Sequence, residues 1–367
     1  MRDRAQHRAS RRLLVICPTW VGDTVMAMPT LRALRQLYPE AHITALARRM
    51  VKPILDACPW IDRIATIPPK RKGRGVGTRH TMFSVARRLA AARFDTAVIL
   101  PNSFRTALLA RMAGIPRRVG YERDGRGFLL TDRLLPRREV GRYIPVPTRD
   151  YYLGLARYLG AVDPDPTMQL FTRPEDDARA DALLARGGYD VSSGRPLVLV
   201  NPGASYGDAK MWFPERFAAV ADRLVREHQA VAAVTGAPNE RRIIDAVLSH
   251  AKEPMIDLPA LGIDLTLLKG VLRRARLMVT NDTGPRHIAA AMGVPVVTIF
   301  GPTDPAWTQI DFPLERQVRV DVYCSPCQKK QCPLRGSPDE LACMKRVTAE
   351  MVHEQAVQLL QRAGAAA

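Results

Sequence analysis

Thr280-Asn281-Asp282-Thr283-Gly284-Pro285-Arg286-His287-Ile288-Ala289-Ala290-Ala291 decides how the chain folds. The apolar run before it, Leu277 to Val279, predicts a strand that stops at Asn-Asp-Thr-Gly. Pro285 then opens a helix of small residues, where a missing backbone N–H costs nothing. A strand, a glycine turn and a helix start make the repeating unit of a parallel α/β sheet. The unpaired N–H groups of such a helix start, with the positive end of its dipole, form a site for phosphate. Thr283 offers a hydroxyl, Gly284 lets the backbone come close, and His287 lies in the first turn. The second half of the chain therefore reads as holding a diphosphate-bearing ligand.

The same alternation runs outward in both directions. Strands are predicted at Leu13–Ile16, Ile43–Leu46, Arg63–Ile67 and Thr96–Leu100, then at Leu197–Val200, Ala230–Val234, Leu277–Thr280 and Val296–Phe300. Between the first two, Val25, Met28, Leu31, Leu34 and Leu37 recur at helical spacing, predicting one helix over Thr24–Leu37. Further helices are expected at Pro174–Arg186, Pro214–Glu227, Glu240–His250, Leu265–Arg274 and Ala349–Arg362. This pattern predicts two doubly wound sheets, one per half. A stretch rich in Pro, Asp, Gly and Ser near 163–195 marks the boundary. The division is a first domain over 1–175, a second over 176–348, and a closing helix in 349–367 free to fold back onto either domain, the first included. Asp163-Pro164-Asp165 lies in this stretch and reads as a turn, not a metal site. Gly73-Arg74-Gly75-Val76-Gly77, inside the basic segment Lys70 to Arg79, reads as a surface loop and not as a dinucleotide fingerprint.

Composition bounds the partners. The chain has 367 residues, enough for about two domains. Lys plus Arg number 55 against 36 Asp plus Glu, a net charge of +19. Such a surface attracts polyanions: nucleic acid, anionic lipid headgroups or an acidic glycolipid. Aromatics are only 6% of the chain and none interleave with a basic run, which speaks against single-stranded nucleic acid. No apolar run approaches the ~20 residues that span a bilayer. The basic start, Met1 to Arg12, precedes an apolar stretch too short for a signal-peptide core. The expectation is a cytoplasmic protein.

Four motifs carry chemistry. In Pro18-Thr19-Trp20-Val21-Gly22-Asp23-Thr24, a strand passes to a helix at the carboxyl edge of the sheet, where ligands bind in such folds. Asp23 suits two roles there, a helix N-cap or a base that takes an attacking hydroxyl's proton. Asn201-Pro202-Gly203-Ala204-Ser205-Tyr206-Gly207-Asp208-Ala209-Lys210 is a small, hydroxyl-bearing loop able to wrap phosphates, with Lys210 as a point charge. Gly236-Ala237-Pro238-Asn239-Glu240 places a carboxylate where it can cap a helix or accept from ribose hydroxyls. The opening stretch, continued by Phe300-Gly301-Pro302-Thr303-Asp304-Pro305, is the fourth. The last three fall at one edge of one sheet.

Six cysteines are few. Cys17 and Cys58 read as buried small hydrophobes. The others cluster as Cys324-x2-Cys327-x4-Cys332-x10-Cys343. Four thiolates can enclose a structural zinc. The irregular spacing and the lack of a second Cys-x2-Cys favour reduced thiols packing a loop instead, and a disulfide is less expected in the cytoplasm.

Trp20-Val21-Gly22-Asp23, Pro101-Asn102-Ser103-Phe104, Pro202-Gly203, Ala209-Lys210 and Asn281-Asp282-Thr283-Gly284 with His287 resemble the lipopolysaccharide heptosyltransferases of glycosyltransferase family 9. The Pro-x-Trp-Val-Gly-Asp and Leu-Pro-Asn-Ser-Phe strings are most like its heptosyltransferase II branch. The likeness runs from about residue 13 to 310. It implies a GT-B fold, two Rossmann-like domains facing across a cleft. It also implies inverting transfer of heptose from ADP-heptose to the inner-core oligosaccharide on lipid A, at the inner-membrane surface and without a metal. By matched position Asp23 is the catalytic base. Ser205, Tyr206 and Lys210 fall on donor phosphate positions, Glu240 on a ribose position, and Asp282, Thr283, Gly284 and His287 on the diphosphate and sugar site. Ile263 falls near the adenine. Tyr206 stands where some members carry a small hydroxyl residue, and Arg286 adds a charge beside the diphosphate. Three other readings remain open: a heptosyltransferase I-like enzyme, a 2-epimerase-like sugar-nucleotide enzyme, and a non-catalytic basic protein that binds anions.

Overall fold

Leu13, Leu14, Val15 and Ile16 are all buried, as a strand covered on both faces must be. In the computed structural model, which describes residues 10–67 and 77–365, they form the centre of a sheet. The chain divides into two compact units, Met1–Met168 and Gln169–Ala367.

The first unit contains β1 (Arg12–Ile16), β2 (His42–Arg48), β3 (Arg63–Ile67), β4 (Thr96–Ile99), β5 (Arg117–Tyr121) and β6 (Asp132–Leu134). Their order is β3-β2-β1-β4-β5-β6, every pair parallel. An antiparallel hairpin follows β6, with β7 (Arg138–Glu139) paired to β8 (Arg142–Tyr143). The helices are α1 (Val21–Met26), α2 (Met28–Leu37), α3 (Lys52–Leu55), α4 (Gly77–Ala91), α5 (Phe104–Met112) and α6 (Thr148–Leu159).

The helix expected over Thr24–Leu37 is two helices. It breaks at Ala27, whose N–H reaches back to the carbonyls of Asp23 and Thr24. Pro29 accounts for the break: it has no N–H to give, and its ring crowds the carbonyl four residues earlier. The basic segment 70–79 lies mostly outside the described residues, and its last part, from Gly77, begins α4. Asp165 turns back as expected of a turn: it accepts from Thr167 N at 2.8 Å and pairs with Arg32 at 2.8 Å.

The second unit repeats the plan with β9 (Leu197–Asn201), β10 (Val231–Val234), β11 (Met255–Asp257), β12 (Ala275–Asn281), β13 (Val296–Ile299) and β14 (Glu315–Val318). The order is β11-β10-β9-β12-β13-β14, again all parallel. Its helices are α7 (Pro174–Arg186), α8 (Pro214–His228), α9 (Arg241–His250), α10 (Leu265–Leu272), α11 (Gly284–Ala291), α12 (Ala342–Lys345) and α13 (Ala349–Ala365). α7 packs on α10, and α13 lies on α8 and on β12, β13 and β14. One apolar core runs beneath, built around Trp212, Phe217, Val279, Ile299, Met344 and Leu359. Each sheet reverses its winding beside its first strand, between β1 and β4 and between β9 and β12. Loops at the carboxyl ends of such a pair open a crevice for ligands.

Candidate donor pocket and candidate base

In the second unit, two asparagines tie the loops at the crevice together. Asn201, ending β9, donates through Nδ2 to Thr280 Oγ1 at 3.0 Å and Thr283 Oγ1 at 3.3 Å. Asn281, ending β12, donates to Pro202 O at 2.8 Å and accepts from Trp212 N at 3.2 Å. These reciprocal bonds fix the 201–212 loop to the 281–284 turn. Thr283 stands at the N-cap of α11, but no side chain caps that helix. Among the described residues no side chain meets its first N–H groups, an arrangement able to take an anion.

Beneath the turn is a buried charge network. Asp282 Oδ2 accepts from Lys210 Nζ at 2.5 Å and from Thr303 Oγ1 at 2.9 Å, and Oδ1 accepts from Arg286 at 3.1 Å. Arg286 in turn grips Glu315 through two bonds of 2.5 and 3.0 Å. Glu315 also accepts from Thr298 Oγ1 at 2.7 Å. Burial works to raise the Asp282 carboxyl, but the Lys210 ammonium and the Arg286 guanidinium outweigh it and hold it at about 2. Two cations and two anions therefore balance, as buried ions must. Arg286, expected beside the diphosphate as an extra charge, is fully buried and occupied by Glu315 and Asp282. Sequence reading missed Glu315, Thr303 and Thr308. Thr303 lies in the fourth motif but was given no role there, Glu315 and Thr308 lie in none, and only folding brings the three to Asp282 or Arg286.

His287 is also buried. Burial first, and the Arg286 charge second, lower its pKa to about 3, so its ring is neutral near pH 7. Its Nδ1 has no hydrogen-bond partner among the described residues. Glu240 does not cap α9 with its side chain. It accepts from Ala237 N at 2.8 Å and rests so close to Gly203 that a Cβ there would collide with its carboxylate. Glycine at 203 leaves room for that carboxylate. Ser205 and Tyr206 are exposed on the loop. Tyr206 Oη donates to Gln328 O at 3.0 Å, and its ring has Lys210 Nζ 5.3 Å and Lys330 Nζ 5.5 Å from its centroid. Ala209 N donates to Lys330 O at 3.1 Å. Segment 328–330 thus braces the 201–210 loop from behind. Ile263 turns its own N–H to Leu258 O at 3.1 Å.

In the first unit, Asp23 lies in the first turn of α1 and is half-buried. It is not the N-cap; Trp20 is, and no side chain caps the helix. The described residues give its carboxylate no hydrogen bond and no cation, and burial pushes it up to about 6. Nearby, Tyr151 donates to Asn102 Oδ1 at 3.0 Å and stacks on Tyr121 with ring centroids 3.8 Å apart. Arg126, also missed from sequence, is fully buried and holds the 101–103 turn through Pro101 O and Ser103 O.

All four clustered cysteines are free thiols: Cys343 is buried, and Cys324, Cys327 and Cys332 are half-buried. Cys343 is raised to about 11 by burial and then by its three neighbours. Among the described residues, the one group whose His, Cys, Asp or Glu ligand atoms all lie within 4.8 Å of one another is Glu227, His228 and His353.

Two Rossmann-like sheets, each with loops gathered at its carboxyl edge, make the GT-B fold of nucleotide-sugar transferases. The family described as glycosyltransferase family 9 (heptosyltransferase) matches residues 82–337. Lipopolysaccharide heptosyltransferase 2 of Salmonella typhimurium is 30% identical over 316 residues, 84% of this chain and 87% of its own. The solved structure of E. coli ADP-heptose LPS heptosyltransferase II is similar with a TM-score of 0.75 at 25% identity, over 96% of this chain and 99% of that one. The glycosyl transferase family 9 structure from Veillonella parvula DSM 2008 reaches 0.83 at 23% identity, over 98% and 99%. The chain belongs to glycosyltransferase family 9, and it is an enzyme of that class.

Proposed function

We propose that the chain moves heptose from ADP-heptose to the inner-core oligosaccharide of lipopolysaccharide, with inversion, as a heptosyltransferase 2-like enzyme working at the inner membrane's cytoplasmic face. The observation that carries the chemistry is Asp23: a half-buried carboxylate at the carboxyl edge of its sheet, with no cation on it among the described residues and a pKa of about 6. That value suits a general base near neutral pH. The similarity to the Salmonella and E. coli proteins supports the sugar and the acceptor.

In this reading an acceptor hydroxyl gives its proton to Asp23 while its oxygen attacks the anomeric carbon from the face opposite ADP. The bond from that carbon to the phosphate oxygen breaks, and its electrons leave with ADP. The diphosphate rests on the open start of α11, with Thr283, Gly284, Ser205, Tyr206 and Lys210 around it. Fixed donors of this kind stabilise charge as it develops. His287 contributes as a neutral ring. Lys210 is shared with Asp282, so its charge is held in place before the nucleotide arrives. Glu240 accepts from the ribose.

Incubation with ADP-heptose and candidate core acceptors, read by mass spectrometry, tests this. A product one heptose heavier, formed only with acceptor, is the expected result. A donor altered without acceptor would make the chain an epimerase. Absence of thermal stabilisation by ADP together with absence of product would leave only the anion-binding reading.

A further inference from the structure

The first unit exposes large apolar side chains in an uneven way. Six of its eleven exposed large apolar residues, among those described, are Trp20, Met50, Phe104, Phe128, Leu135 and Val140. Trp20 follows β1, Met50 follows β2, Phe104 follows β4, Phe128 lies beyond β5, and Leu135 and Val140 lie beyond β6. Because every strand of this sheet is parallel, the loops that follow them leave from one edge. That edge also carries Asp23. Phe104 and Phe128 meet with ring centroids 5.9 Å apart, and Arg126 ties the Phe128 turn to the 101–103 turn. Arg123 stacks on Tyr143 with its guanidinium 4.1 Å from the ring centroid, so the β7–β8 hairpin is anchored to the loop after β5.

The exposed charge at this edge is mostly positive. Arg48, Arg49, Arg105, Arg137, Arg138 and Arg142 are exposed on these loops and the hairpin, against two exposed acids, Asp124 and Glu139. Asp124 already faces Arg123 at 3.9 Å. Apolar side chains are widely open to solvent among them: Phe128 is 67% exposed, Leu135 76% and Val140, at the hairpin tip, 97%. Apolar tips ringed by arginines fit an anionic bilayer, where tips enter the acyl boundary and guanidinium groups meet phosphates. Exposed patches of this kind mark interaction sites rather than ordinary surface.

We infer that the β7–β8 hairpin and its neighbouring loops seat the first unit on an anionic membrane, with the Asp23 edge turned toward the lipid. The inference rests on the transferase reading in one respect: an acceptor that is itself a membrane glycolipid would then arrive at the edge that holds the base.

Flotation of the full chain with phosphatidylethanolamine/phosphatidylglycerol vesicles, against phosphatidylcholine vesicles, tests it. The native chain should float at least tenfold better with the anionic lipid, and rising salt should weaken this. The double variants Leu135→Ser/Val140→Asp and Arg138→Glu/Arg142→Glu should each lose most of that flotation. Both should keep thermal stabilisation by ADP and transfer to a soluble, delipidated core acceptor. Arg138→Lys/Arg142→Lys should float like the parent. Equal flotation with both lipids, or charge-reversed variants that float like the parent, would overturn the proposal. So would a short RNA duplex that binds the hairpin in preference to vesicles. A chain that floats as described yet transfers nothing to the soluble acceptor would sink the transferase reading and leave this surface standing.

Discussion

Asp23 and Asp282 follow adjacent central strands of one shared sheet plan, Asp23 after β1 and Asp282 after β12, the counterpart of β4. Each follows a central strand and lies at the start of a helix, at the carboxyl edge. One is pushed up to about 6 and the other held at about 2. Burial raises both. The difference is the cations: Lys210 and Arg286 bind Asp282, and none among the described residues reaches Asp23. The same side chain is thereby prepared for opposite work. Asp23 can change its protonation near neutral pH, whereas Asp282 keeps its charge and fixes the groups around it. Fold position alone does not assign a carboxylate its role; its partners do.

The strongest way to break this contrast is Asp23→Asn. It keeps the shape and removes the base, so transfer should fall by about 10²–10⁴-fold while ADP still stabilises the protein. Turnover within tenfold of the parent would remove the assignment. Asp282→Ala should act on stability. It leaves Lys210 and Arg286 buried with less than their full complement of anions, a loss of about 3–5 kcal/mol in urea unfolding. A loss below about 1 kcal/mol would mean that the network does not depend on Asp282.

The pH profile sharpens the contrast further. A base must be deprotonated, so kcat/KM should fall about tenfold per pH unit below about 6 and be level above it. His287, lowered to about 3, and Asp282, at about 2, should add no limb between pH 5 and 8. An inflection that survives in Asp23→Asn would assign the titration elsewhere. The smallest effect expected is that of Gly203→Ala. Its Cβ would displace the Glu240 carboxylate, raising the donor KM several-fold with kcat little changed. An unaltered KM would separate Glu240 from the ribose.

Much of this was legible in the chain. Eight strands stand where they were predicted; seven are largely buried and so must be apolar along most of their length, and β3, at an edge, is only half-buried. The strands β5, β6, β11 and β14 were not read: β6, β11 and β14 lie at sheet edges, and Arg117 and Arg118 open β5. The motif loops were legible because Gly and Asn at strand ends have few other uses. The Arg286–Glu315 pair was not, because an acid in an edge strand looks like surface until the partner 29 residues away is placed beside it. Nor could sequence show that His287 is neutral, which follows from burial and from Arg286. The residues around Asp23 read first as a helix cap and only the family resemblance made it the base; the structure places it inside the first turn and gives the N-cap position to Trp20.

Segment 328–330 holds the 201–210 loop from one side. Gln328 and Lys330, which hold Tyr206 and Ala209, stand between two half-buried thiols, Cys327 and Cys332. A bulky maleimide on either sulfur would wedge that segment away and loosen the loop without touching any group that faces the donor. Labelled protein should then show a smaller melting-temperature gain with ADP. An inhibitor built on this back door could leave the nucleotide pocket, shared by so many enzymes, alone.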